Sequence, residues 1–207
     1  MNKILSLLGA GGHAKVVIEA AKLSGFLVDF LYDDDPLKSD TNYGDNKVIG
    51  NIDVNFTGSL IIAIGNNKIR KLLFTRISKA NWQIIAHPTA IISKDVFIGK
   101  GSVIMAGAII QPGTRIGKHC IINTGVCVDH DCIIGDFVHI APNCSLAGGV
   151  SVGEGTFIGI GSCIVPNITI GSWTNVGAGS VIIKDQPDNC TTLGVPAKPI
   201  KFNNEQK

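Results

Sequence analysis

The sequence has no basic stripe, no long apolar run and no CxxC pair, and each absence removes a class of protein. Net charge is only +2 over 207 residues, and without clustered Lys and Arg to neutralise phosphates, nucleic acid is not the expected main partner. Apolar runs such as Leu60 to Ile64 fall far short of a membrane span. The opening MNKILSLLGAGG meets glycine too early for a signal peptide, no small-residue cleavage site follows, and it reads as a first strand. The six cysteines, Cys120, Cys127, Cys132, Cys144, Cys163 and Cys190, lack metal-ligand spacing. That argues against a zinc site or a disulfide frame and for a reduced, cytoplasmic protein.

What the chain does have is a period. Cut into sixes from Ala90, residues 90–185 give sixteen hexads, from AIISKD to SVIIKD, whose third place is always Ile, Leu or Val and whose first place is small or β-branched. An unbroken six-residue period is the mark of a parallel β-helix, each hexad being one short strand and its corner. Gly99, Gly117, Gly135, Gly153 and Gly171 recur every eighteen residues, so three hexads make one coil. Strand alternation predicts places one and three inside and place two outside. Five coils at a strand spacing of about 4.8 Å predict a prism roughly 25 Å tall. Cys120, Cys132 and Cys144 stand at place one, where packing explains them.

Residues 1–82 follow another rule. An apolar strand, Lys3 to Leu8, runs into Gly9-Ala10-Gly11-Gly12-His13-Ala14, and helical spacing follows over Lys15 to Ser24. Leu27 to Tyr32 is a second strand ending in Asp33-Asp34-Asp35, residues 36–56 read as loop, Leu60 to Ile64 is a third strand, and Ile69 to Lys79 a second helix after the turn at Gly65. This alternation predicts a small Rossmann-like α/β domain over 1–82, joined to the prism and a C-terminal tail over 83–207. Glycines at a strand-to-helix turn let backbone amides approach phosphate, and an acidic residue closing the next strand can hold a ribose hydroxyl. About 80 residues suit a mononucleotide, such as the nucleoside diphosphate of an activated sugar, better than a dinucleotide.

Chemistry on the prism points to two histidines. His130 lies at a corner between Asp129 and Asp131, with Gly148 one coil later leaving open backbone beside its ring; His139 lies at an outward place two. An adjacent carboxylate fixes the tautomer of an imidazole and supports its protonated form. Nine residues are half a coil, so on one chain the two histidines face apart. A site containing both has to lie between chains, most simply in a trimer.

The residues GAGGH at 9–13, Asp33-Asp34, AIGNN at 63–67 with Ile69-Arg70-Lys71, NTG and DHD at 123–131, and GVPAK at 194–198 together resemble the hexapeptide-repeat acyltransferases. Within them, the chain is similar to the sialic-acid O-acetyltransferase and bacillosamine N-acetyltransferase group. The resemblance implies a left-handed, trimeric prism and an acetyl-CoA-dependent sugar acetyltransferase of glycan biosynthesis that needs no metal. It implies His130 as general base with Asp131 beside it. Gly11, Gly12, His13, Asp33, Asp34 and Gly65 match positions that hold the nucleotide sugar, while His139, Gly148, Ile160 and Ala178 match positions lining the acetyl-CoA groove, Ala178 standing where glycine is expected. The acceptor it implies is the 4-amino group of a UDP-linked 4-amino-4,6-dideoxy sugar, with O-acetylation of a sialic acid or related surface sugar as the alternative.

Three rival chemistries remain in the residues. A Cys127 or Cys132 nucleophile has only His130 as a basic partner. A β-helical carbonic anhydrase would gather His119, His130 and His139 around zinc across an interface. A sugar-binding scaffold without catalysis would leave the DHD corner idle.

Overall fold

The computed structural model describes residues 3–202. The N-terminal unit is β1 (Lys3–Leu8), α1 (Gly12–Leu23), β2 (Phe26–Tyr32), β3 (Asn42–Tyr43), β4 (Asn46–Val48), β5 (Ser59–Ile62), α2 (Asn67–Arg76) and β6 (Asn81–Trp82). They form one sheet in the order β3-β4-β2-β1-β5-β6, parallel except for the β3–β4 hairpin. Leu5, Leu7, Leu31 and Ile61 are buried in one cluster and Leu8, Leu60 and Ile62 in another, as expected of strands covered on both faces. The stretch read as loop thus contributes a strand: Phe30 and Leu31 pair with Lys47 and Val48. Its turn-forming residues mask so short an element, and Gly44 turns the hairpin with φ +61°.

After β7 (Ile85–Ala86) come sixteen two-residue strands at six-residue intervals, β8 (Ile91–Ile92) to β23 (Val181–Ile182). Each pairs in parallel with the strand eighteen residues away, as in Ile110 with Val128 and Val128 with Leu146, giving a three-sided coil. From Ser102 to Ile182 every place-one and place-three side chain is buried. Place one is small because it sits under a corner, and it also satisfies that corner. Ser102 Oγ, Thr114 Oγ1 and Thr156 Oγ1 donate to the carbonyls of Gly117, Asp129 and Gly171 at 2.6–2.8 Å, so these three corner carbonyls are paired. β24 (Cys190–Gly194) extends one sheet through Val176 and Thr192, and β25 (Ala197–Phe202) folds back on it. At the other end β7 pairs with β10 (Val103–Ile104).

Place two does not face solvent on all three sides. Val103, Ile121 and His139 are buried because α1 packs its Ala14, Val17 and Ala21 on that sheet, in one cluster with Val103, Met105 and Ile121. The expectation that His139 points outward into water is therefore corrected: it points out of the coil and into the seam with the N-terminal unit.

α2 completes this seam. Asn66 caps it by accepting from the Ile69 amide at 3.1 Å, Asn67 Nδ2 donates to the Gly155 carbonyl at 2.9 Å, and Phe74 and Trp82 enclose His119 with ring centroids 4.6 and 4.7 Å away.

Candidate active site

The first cluster is the corner after β14 (Cys127–Val128). Asp131 holds φ +58° there, a left-handed conformation that Asp adopts more readily than most residues. This turn brings its carboxylate back beside the ring. His130 Nδ1 donates to Asp131 Oδ2 at 2.8 Å, and the His130 amide donates to Asp129 Oδ1 at 2.8 Å. Nδ1 is thereby the protonated nitrogen and Nε2 the free base. The Asp131 hydrogen bond first, then the Asp129 charge, raise the His130 pKa above its ordinary value against the opposing effect of burial.

Gly148 lies directly under the imidazole, and a Cβ on it would stand 2.5 Å from His130 Cε1. The recess between Asp129, His130, Gly148 and Asn167 has a volume of about 270 Å³. Among the described residues the Gly148 amide donates to no protein acceptor.

The second cluster is the glycine turn. Gly9 has φ +108°, and a Cβ there would lie 2.6 Å from Ile64 Cγ1, so only glycine lets the turns at 9 and 64 approach. Gly11 and Gly12 are different: a Cβ on either meets no protein atom within 4 Å, so what lies over them is open space. Asp33 fastens this turn. Its carboxylate accepts from the Ala10 amide at 2.7 Å, the Asp35 amide at 3.1 Å and Lys38 Nζ at 3.1 Å. Desolvation pushes the carboxyl up, but these bonds outweigh it and hold the pKa below the ordinary value. A cavity of about 280 Å³ opens beside it, with Leu8, Tyr32, Ile52 and Ile69 as apolar walls and Asp34 and Arg76 as polar ones. Of the two aspartates, Asp33 is engaged by the fold and Asp34 has no hydrogen-bond partner among the described residues.

The third cluster is the seam. His139 Nδ1 donates to the Gly65 carbonyl at 3.2 Å. Asn123 Nδ2 donates to His139 Nε2 at 3.2 Å, and Asn123 Oδ1, accepting from the Thr124 amide at 2.8 Å, fixes the amide orientation. His13 faces His139 at 6.3 Å between ring centroids. Burial first, and the Arg70 charge second, lower both histidines to about 4, so both are neutral imidazoles at neutral pH.

His13, Gly65 and His139 are thus together, as are His130, Asp131 and Gly148. His139 is not beside His130 on the same chain: it lies on the sheet under the N-terminal unit, while His130 is at the corner between the other two. Ile160 and Ala178 stand exposed on a further corner, joined where the Gly179 amide donates to the Ile160 carbonyl at 2.8 Å. Asn123 and Arg70 belong to the seam and were not singled out by sequence reasoning, although both lie in the motifs NTG and IRK.

Two rival chemistries each lose one candidate residue, Cys132 in the first and His119 in the second, while Cys127 is free and exposed. Burial pushes the Cys132 thiol up, and its Sγ donates to the Ala147 carbonyl at 3.3 Å. His119 is 1% exposed within its aromatic cage, lowered to about 3 chiefly by burial, and does not share a site with His130 or His139.

Two family models match the sequence: the PglD N-terminal domain over residues 4–77 and the bacterial transferase hexapeptide (six repeats) over 89–130 and 149–184. UDP-N-acetylbacillosamine N-acetyltransferase of Bacillus subtilis is 43% identical over 118 residues, a segment spanning 50% of this chain and 52% of that relative. Among solved structures, a perosamine N-acetyltransferase variant from Caulobacter crescentus in complex with CoA and GDP-perosamine superposes with a TM-score of 0.89 at 38% identity, covering 95% of this chain and 96% of that one. The acetyltransferase domain of PglB from Neisseria gonorrhoeae, in complex with acetyl coenzyme A, gives a TM-score of 0.87 at 35% identity, covering 97% and 100%.

Proposed function

Because the chain belongs to the hexapeptide-repeat sugar acetyltransferases of the bacillosamine N-acetyltransferase group, we propose that it transfers acetyl from acetyl-CoA to the 4-amino group of a nucleoside-diphosphate-linked 4-amino-4,6-dideoxy sugar. The observation that carries this reading is His130 itself: Nε2 free, Nδ1 held by Asp131, and an open glycine beneath the ring.

In this reading the nucleotide occupies the cavity beside Asp34, its diphosphate lies over the open amides of Gly11 and Gly12 at the start of α1, and the sugar reaches His13 and Gly65. Anchoring the nucleotide converts attack by the amine into an effectively intramolecular step. His130 Nε2 removes a proton as the amine adds to the thioester carbonyl, the C–N bond forms, and the C–S bond breaks with release of the CoA thiolate. The Gly148 amide is positioned to donate to the oxygen on which charge develops. His139, Gly148, Ile160 and Ala178 line the acetyl-CoA path. Since His130 and His139 face apart on one chain, the complete site lies between chains of a homotrimer. A cytoplasmic location and a role in surface-glycan synthesis follow from the substrates.

The nitrogen acceptor is supported by the names of the Bacillus and Caulobacter relatives, both N-acetyltransferases. UDP is the nucleotide we assign, as in the Bacillus relative, and GDP is the alternative carried by the Caulobacter complex.

The test is thiol release from acetyl-CoA with UDP- and GDP-linked 4-amino sugars and free sialic acid, for wild type and His130→Ala. Turnover on the UDP amino sugar, reduced about 10²-fold or more in the variant, is expected. Turnover on the GDP sugar alone reassigns the nucleotide, turnover on sialic acid alone reassigns the acceptor atom, and none on any of them refutes the reading.

A further inference from the structure

Arg70 is 1% exposed and, among the described residues, forms no ion pair with a carboxylate. A guanidinium taken from water without a counter-charge is costly, and burial lowers its pKa only to about 10, so it is still charged at neutral pH. Its donors all go to main-chain carbonyls. Nη1 reaches Ile64 at 3.2 Å and Gly65 at 2.9 Å, Nη2 reaches Phe137 at 2.8 Å, and Nε reaches His119 at 3.0 Å.

Two of these bonds converge on one histidine. The Gly65 carbonyl that accepts from Arg70 also accepts from His139 Nδ1, and Phe137 lies two residues before His139. One side chain therefore grips the hydrogen-bond acceptor of His139 in one domain and the backbone that carries His139 in the other.

We propose that Arg70 is a positioning residue for acetyl transfer: it sets the Gly65 carbonyl against His139 so that this imidazole is presented in one orientation, with Nδ1 protonated and Nε2 facing Asn123. The proposal rests on the reaction assigned above. An apolar side chain of similar volume could fill the seam, but it would take the donor away from the Gly65 and Phe137 carbonyls on either side of His139. The charged and titratable groups that face His139 are His13 on α1 and Arg70 on α2; from the prism it meets uncharged Asn123 and Phe157. Among the described residues no carboxylate pairs with Arg70, so its charge acts to keep His139 unprotonated.

The experiment has two arms, both on the full chain. In the first, ¹⁵N shifts of the His139 ring are followed with pH in wild type, assigned through His139→Gln. Protonated Nδ1 and unprotonated Nε2 from pH 8 to about 5 are expected; the opposite tautomer, or protonation near pH 6.5, overturns the proposal whatever the variants do. In the second, Arg70→Met and Arg70→Lys are assayed and titrated. At least a tenfold fall in kcat at saturating substrates, with the His139 tautomer no longer single in Arg70→Met, is expected. Activity within twofold of wild type, or a fall in kcat with the His139 pattern unchanged, overturns it. If neither variant folds, the wild-type titration alone decides. If wild type acetylates no acceptor, the reaction is misassigned, while the nitrogen shifts still judge the hold of Arg70 on His139.

Discussion

A Cβ placed on Gly148 would stand 2.5 Å from Cε1 and 2.6 Å from Nε2 of His130. The glycine is the floor on which the proposed base rests, and its φ lies outside the left-handed region. Alanine at 148 therefore strains no backbone but pushes the exposed imidazole off the Asp131 carboxylate.

Gly148→Ala is accordingly expected to lower kcat by about 10²-fold, close to the loss from removing the base itself, with little change in melting temperature. Steady-state kinetics beside a thermal melt separates the two effects. An alanine variant with wild-type turnover would show that the observed His130 orientation is not the reactive one.

Asp131→Asn removes the main cause of the raised His130 pKa and so brings that pKa down. A general base works only when unprotonated, so the acid limb of the kcat/KM profile moves to lower pH. The plateau falls too, because the weaker base accepts the amine proton less readily. An acid limb that stays in place would assign the titrating group to another residue.

Three histidines are neutral in the fold, with pKa values of about 4 for His13, about 4 for His139 and about 3 for His119, against an ordinary value of 6.5. The unfolded chain binds these protons first, so their effect is nil well above pH 6.5 and stability is lost as pH falls from 6.5 towards 4. Each histidine costs up to about 1.4 kcal/mol per pH unit in that window. His119 has neither ring nitrogen hydrogen-bonded and stacks on Phe137 at 5.5 Å. His119→Phe is therefore expected to flatten the acid side of the stability curve, any backbone cost of Phe at φ +52° being the same at pH 5 and pH 8. Denaturant midpoints at pH 5 and pH 8 check it; an equal slope with pH in both proteins would refute it.

The prism was legible because its rule is local: place three repeats without a break from Ile92 to Ile182, and the eighteen-residue glycine spacing sets three strands per coil. The same rule places Gly148, eighteen residues on, beneath His130. What the period cannot carry is what packs outside the coil. Val103, Ile121 and His139 occupy the same place two as exposed Ile91, Phe97 and Ile133, and the N-terminal unit packed on that sheet makes the difference. Arg70 was hidden for a related reason. On an amphipathic helix a buried arginine and a solvated one look alike, and its partners are carbonyls, which no sequence motif records. The β3–β4 hairpin was lost in a stretch dominated by Asn, Asp and Gly.

Gly9→Ala tests the one glycine in the nucleotide turn that the fold itself requires. With φ +108° and Ile64 Cγ1 2.6 Å from the added carbon, strain and overpacking combine, and a loss of about 2–4 kcal/mol is expected in the denaturant midpoint. Gly12→Ala, with open space above it, is expected to leave stability within about 1 kcal/mol while raising KM for the nucleotide sugar. A fall in stability for Gly12→Ala equal to that for Gly9→Ala would argue that both glycines serve the fold alone.

The separation of His130 from His139 on one chain leads to a prediction about assembly. If each site takes His130 from one subunit and His139 from its neighbour, His130→Ala and His139→Ala are defective alone, yet a mixed ring contains some interfaces with both histidines intact. In every mixed trimer one of the three interfaces joins an intact His130 to an intact His139, so about a third of the sites are complete. Co-expression of the two chains under separate tags, followed by tandem purification, should therefore recover about that fraction of wild-type turnover. A site contained in one chain recovers nothing above the sum of the two variants, because no exchange of subunits can return a missing histidine to the chain that lacks it.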